Sequence, residues 1–156
     1  MRRTYRVLAY LIAILVMVQA AAIAFALSGL GKWVADGGVL DAAGIESGSL
    51  DFEGVVGFMI HGLNGTMVIP VVALALLIIS FFTKIPGASK WAALVFLLVG
   101  IQIGLGLTAH AIPTLGAVHG VNALLLFSAA VYAARRSRGL WAGPSRDRAA
   151  TPQVKV

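Results

Sequence analysis

Four apolar runs dominate this chain, at roughly Tyr5 to Leu30, Val55 to Phe82, Trp91 to Ala111 and Pro113 to Ala134. Each is long enough to cross a bilayer as a helix, which takes about 20 residues at about 1.5 Å of rise. Apart from Arg6 at the start of the first, none contains an acidic or basic residue. A composition that is 60% hydrophobic and 12% charged lies far from that of a water-soluble domain. The expectation is an all-α integral membrane protein whose surroundings are the lipid bilayer.

The connections set the topology. "TKIPGASK" and "HAIPT" are short, so consecutive helices are antiparallel neighbours in an up-down four-helix bundle. The link between the first and second runs, residues 31–54, is rich in Gly, Ser and Asp and reads as an exposed loop with room for one short surface helix. Pro70 lies inside the second run and is expected to kink it. Residues 1–136 form the transmembrane domain, and residues 137–156 read as a disordered cytoplasmic tail. The basic start, apolar core and "AFA" of the first run also resemble a signal peptide, but the apolar stretch is longer than a usual signal core.

Charge gives the orientation. Arg2, Arg3 and Arg6 precede the first run, Lys84 and Lys90 bracket the second connection, and Arg135, Arg136 and Arg138 follow the fourth. The long loop holds Lys32 against Asp36, Asp41, Glu46, Asp51 and Glu53. The positive-inside rule places both termini in the cytoplasm and the acidic loop outside, as in a multi-pass protein of the plasma (inner) membrane. The net charge of +6 is therefore a topology signal and not a sign of nucleic-acid binding.

One polar word is written twice inside the apolar runs: "HGLNG" at residues 61–65 and "HGVNA" at residues 119–123. His61 and His119 each lie about six residues into helices that run in the same direction, so helix rise puts both about 9 to 10 Å below the outer boundary. The first and third runs repeat more faintly, aligning Gln19 with Gln102. Two tandem helix hairpins related by a pseudo-twofold axis follow, with His61 and His119 as equivalent positions.

Burying an imidazole in a membrane is costly, so an intramembrane histidine is a functional candidate. The chain has no cysteine, which removes thiolate ligands and nucleophiles. Two neutral imidazoles facing each other across a bundle suit the iron of a flat porphyrin, which takes one axial nitrogen from each side. A ring of that size needs small neighbours. Gly57 and Gly65 share the His61 stripe, Gly116 and Gly120 flank His119, and Asn64 and Asn122 follow each histidine by three residues, placed to bond a facing carbonyl or a propionate. Glycine also serves ordinary close packing of membrane helices, and asparagine also serves as interhelical glue. His110, at the outer end of the third run, reads as an interfacial residue or a further contact to the cofactor.

The expected function is that of a bis-His b-type cytochrome with one haem b per chain, ligated by His61 and His119, for electron transfer or haem handling near the outer face. It would need quinone or another redox protein as partner, and the sequence leaves open whether copies associate as a homo-oligomer. The competing readings are a cofactor-free accessory subunit and a transition-metal site built from His61, His110 and His119. No catalytic residue is expected, since the apolar runs hold no carboxylate to act as a base.

"VMVQAAAIAFALSGLG", "HGLNG" and "VGIQIGLGLTAHAIPTLGAVHGVNALLLFSAAVYAAR" together resemble one four-helix half of the haem A synthase family, over roughly residues 6 to 136. That resemblance implies a bundle with a histidine on its second and fourth helices, matching His61 and His119. It also has departures. A single half is present, Gly62 stands where the family usually has Arg, Phe58 stands where a Glu is usual, and the loop lacks a Cys pair. The likeness thus points to haem binding and not to the family's oxygen-dependent methyl oxidation.

Overall fold

The computed structural model describes residues 1–137. Every regular element among them is helical: α1 (Arg2–Ala35), α2 (Ala42–Ser47), α3 (Val56–Leu63), a π-helical turn (Asn64–Val68), α4 (Ile69–Phe82), α5 (Ala88–Thr108) and α6 (Thr114–Arg136). α3, the π turn and α4 follow without a break, so four helices are long and apolar enough to cross a membrane: Arg2–Ala35, Val56–Phe82, Ala88–Thr108 and Thr114–Arg136. The expected four-helix bundle of two tandem hairpins is the observed architecture, with α1 against α3 and α4, and α5 against α6. α1 runs beyond its expected ends, and α5 stops at Thr108, which leaves His110 on the turn to α6. The proposed tail lies outside the described residues from position 138 onward.

The packed core sits at the end of the bundle that carries the termini. Ala9, Ala73, Ala92, Ala130 and Ala134 are fully buried there. Small side chains at helix contacts let backbones approach closely, which is how helices associate in a medium as apolar as their own side chains. The same end is tied by polar groups directed at backbone carbonyls. The buried Tyr5 hydroxyl donates to Ala88 O, Arg2 to Lys84 O, and Arg136 Nε to Pro86 O. These side chains engage carbonyls in and beside the α4–α5 connection, where the chain is not helical from Thr83 to Gly87.

At the loop end, packing is carried by α1 and α3. A Cβ on Gly57 would lie 2.3 Å from Ala22 O, and one on Gly54 would lie 2.8 Å from Phe25 O. Such contacts hold the two backbones as close as glycine allows. Phe52 is buried between Trp33 and Phe58, with ring centroids at 5.9 and 6.3 Å. Among the described residues, α5 buries nothing beyond Val99 and α6 buries nothing before Asn122. No packing comparable to that on α1 joins α3 to α5 or α6.

The internal repeat extends through the core. Ala9 and Ala92, Ile12 and Val95, and Val16 and Val99 are equivalent buried positions at one constant offset. In the second and fourth spans the offset changes between the asparagines and the core. Ile69 lies five positions after Asn64 and Leu126 four positions after Asn122, after which Ile69 matches Leu126 and Ala73 matches Ala130, all buried. The extra residue is absorbed by the π turn, where the Ile69 N–H donates to Asn64 O. Pro70 accounts for its position. Proline has no N–H and its ring crowds the carbonyl of the residue four before it, so the preceding turn widens instead of continuing as α-helix. Where a kink is expected at Pro70, the structure shows a π turn just ahead of it.

Candidate functional site

His61 on α3 and His119 on α6 face each other across the loop half of the bundle, with ring centroids 6.2 Å apart and planes inclined at 51°. Each is oriented in the same way. His61 Nδ1 donates to Gln19 O at 3.2 Å, and His119 Nδ1 donates to Gln102 O at 3.1 Å. A carbonyl oxygen can only accept, so Nδ1 carries a proton in both rings, and Nε2 is the nitrogen that a neutral imidazole would offer as a ligand. The two asparagines repeat the motif one turn further along. Asn64 Nδ2 donates to Leu15 O at 3.2 Å, and Asn122 Nδ2 donates to Leu98 O at 3.0 Å. The alignment of Gln19 with Gln102 is therefore physical: equivalent carbonyls on α1 and α5 receive equivalent side chains from α3 and α6.

The separation of the rings tests the fit to a metal. A metal–imidazole bond of about 2.0 Å on each side, plus roughly 1.15 Å from the bonding nitrogen to each ring centre, gives about 6.3 Å between centroids for two imidazoles trans across one ion. The observed 6.2 Å meets that expectation. Rotation about the ligand axis leaves the distance unchanged, so the 51° inclination is also compatible. Among the described residues, no group of three or more His, Cys, Asp or Glu is placed to hold a metal ion. His110, exposed on the α5–α6 turn, does not complete a three-histidine site with the pair. Two imidazoles alone hold an ion weakly, whereas a porphyrin supplies four nitrogens of its own and asks the protein for two axial ones.

The glycines divide into two groups. Gly57 and Gly65 are used against α1, since a Cβ on Gly65 would lie 2.4 Å from the Gln19 amide nitrogen. Among the described residues, a Cβ on Gly62, Gly100, Gly104 or Gly120 would meet nothing within 4 Å, and one on Gly116 would meet only Ala109 Cβ at 4.0 Å. Gly106 lies against His119, where a Cβ would come within 3.1 Å of the ring. Gly57 and Gly65 are thus taken up by the contact with α1, whereas little or nothing lies against Gly62, Gly116 and Gly120, each within three residues of a histidine.

Sequence reasoning missed the acceptors. Leu15, Gln19, Leu98 and Gln102 act through their backbone carbonyls, which no side-chain pattern announces. The faint Gln19–Gln102 repeat was the available signal. Comparison with family models, with curated proteins and with solved structures finds no match.

Proposed function

We propose that this protein is a membrane cytochrome of the b type in which His61 and His119 bind opposite faces of one haem through Nε2. The single observation that carries the reading is the 6.2 Å separation of two imidazoles whose Nδ1 atoms are both committed to backbone carbonyls. Haem b supplies one-electron chemistry when bound. The chain's own residues fix the tautomer and direction of both ligands, supply small neighbours at Gly62, Gly116 and Gly120, and among the described residues leave no third protein ligand to compete. Asn64 and Asn122 hold the π turn to α1 and α6 to α5 just below the ligands. With both termini cytoplasmic in the plasma membrane, the site lies toward the outer face, and electrons pass to or from quinone or another redox protein.

A reduced-minus-oxidised absorption spectrum of the detergent-purified chain tests this. A low-spin b-type spectrum that is lost or turned high-spin in His61→Ala and His119→Ala is expected. A parent that stays colourless when haem is supplied refutes it and leaves a cofactor-free subunit as the better account.

A further inference from the structure

The two ligands hang on unequal supports. On the α6 side, Asn122 Nδ2 donates to Gln102 Oε1 at 2.6 Å as well as to Leu98 O, so Gln102 receives His119 on its carbonyl and Asn122 on its side chain. On the α3 side the equivalent pair is not joined. Asn64 donates to Leu15 O, while the buried Asn64 Oδ1 and Gln19 Oε1 have no partner among the described residues. Unsatisfied acceptors are costly in a membrane interior, so the hydrogen-bonded support of His61 is the weaker of the two.

The backbone adds a second difference. His119 sits on an unbroken α-helix of 23 residues, whereas His61 sits on the eight-residue α3 that ends directly in the π turn. A π turn is one residue away from an α turn, and closing it would rotate α3 by about 100° against α4, enough to carry a side chain off its target. α3 packs along α1, with no comparable hold from α5 or α6 among the described residues.

We propose, resting on the haem reading, that His119 is the fixed ligand and His61 the exchangeable one, so that the α3 side is a binding position for a small neutral exogenous ligand. The exchange replaces one neutral two-electron donor with another, and neither electrons nor protons change hands. Carbon monoxide and imidazole are the probes.

In lipid nanodiscs, CO added to the reduced haem-loaded chain is expected to raise hydrogen exchange across residues 56–63 and leave residues 114–122 unchanged. Equal change in both segments, change confined to α6, or failure of CO to bind overturns the assignment. In a second experiment His61→Gly keeps its haem and regains a low-spin spectrum with imidazole, while His119→Gly retains haem about tenfold less well, the scale of one lost charge-neutral support. Equal retention, or better retention in His119→Gly, overturns it as well, and if His119→Gly fails to fold the exchange measurement on the parent decides. A parent that never takes up haem refutes the proposed function itself, a result distinct from a coloured protein with equivalent ligands.

Discussion

Asn64 and Asn122 occupy equivalent places in the repeat, and replacing each with alanine is expected to have unequal effects. Both side chains are buried to the same degree, at 7% and 6% exposure, and both changes remove the same atoms, so the difference lies in the hydrogen bonds. Asn122→Ala removes two bonds, to Leu98 O and Gln102 Oε1, and strands the Gln102 acceptor. At about 0.6 kcal/mol for an average interhelical bond in a membrane protein, and about 1 kcal/mol for the stranded acceptor, the polar loss is about 2 kcal/mol. Asn64→Ala removes one bond to Leu15 O and at the same time deletes Oδ1, already without a partner among the described residues, so its polar loss is about 0.6 kcal/mol or less. The difference of roughly 1.5 kcal/mol is about tenfold in an unfolding equilibrium. Reversible unfolding in mixed detergent micelles, followed by circular dichroism, measures it without any cofactor. Equal destabilisation by the two variants would refute the asymmetry.

Gly57→Leu should force α1 from α3, because even a Cβ would lie 2.3 Å from Ala22 O, and a loss of at least about 1–3 kcal/mol is expected in the same unfolding assay. Gly120→Leu should leave unfolding almost unchanged, since nothing described lies within 4 Å of its Cβ, yet lower the haem content read from the absorption spectrum. Tyr5→Phe removes the buried bond to Ala88 O and should cost about 1 kcal/mol by thermal unfolding, with no change in that spectrum.

The span count, the short hairpin links and the pairing of His61 with His119 were legible because bilayer thickness and helix rise turn apolar length into architecture. So was the equivalence of Gln19 and Gln102, since a repeat fixes register. The direction of the glycines was not. Gly57 and Gly65 share a face with His61 by helical spacing, but spacing does not say which neighbour that face meets, and both meet α1. Pro70 announced a disturbance without its form. A bend and a π turn both relieve the missing N–H, and the choice becomes visible only through the offset between Asn64–Ile69 and Asn122–Leu126. His110 fell off α5 because the helix ends at Thr108, just ahead of the turn that contains Pro113.

Duplication explains why so few polar residues suffice. A hairpin that presents one imidazole, with its Nδ1 held by the carbonyl of the neighbouring helix, becomes a two-sided site when a second copy packs against it about a pseudo-twofold axis. On the proposed haem reading, a flat ring would ask for that relation, since each face would need one nitrogen at the same depth. The core at the terminal end preserves the relation through matched alanines and β-branched residues, while the π turn breaks it on one side. In a medium where every unpaired acceptor is costly, the break persists at a place where Gln19 Oε1 and Asn64 Oδ1 are left without partners among the described residues. Unpaired acceptors and a π turn beside one of two otherwise equivalent histidines are the physical basis for expecting them to behave differently.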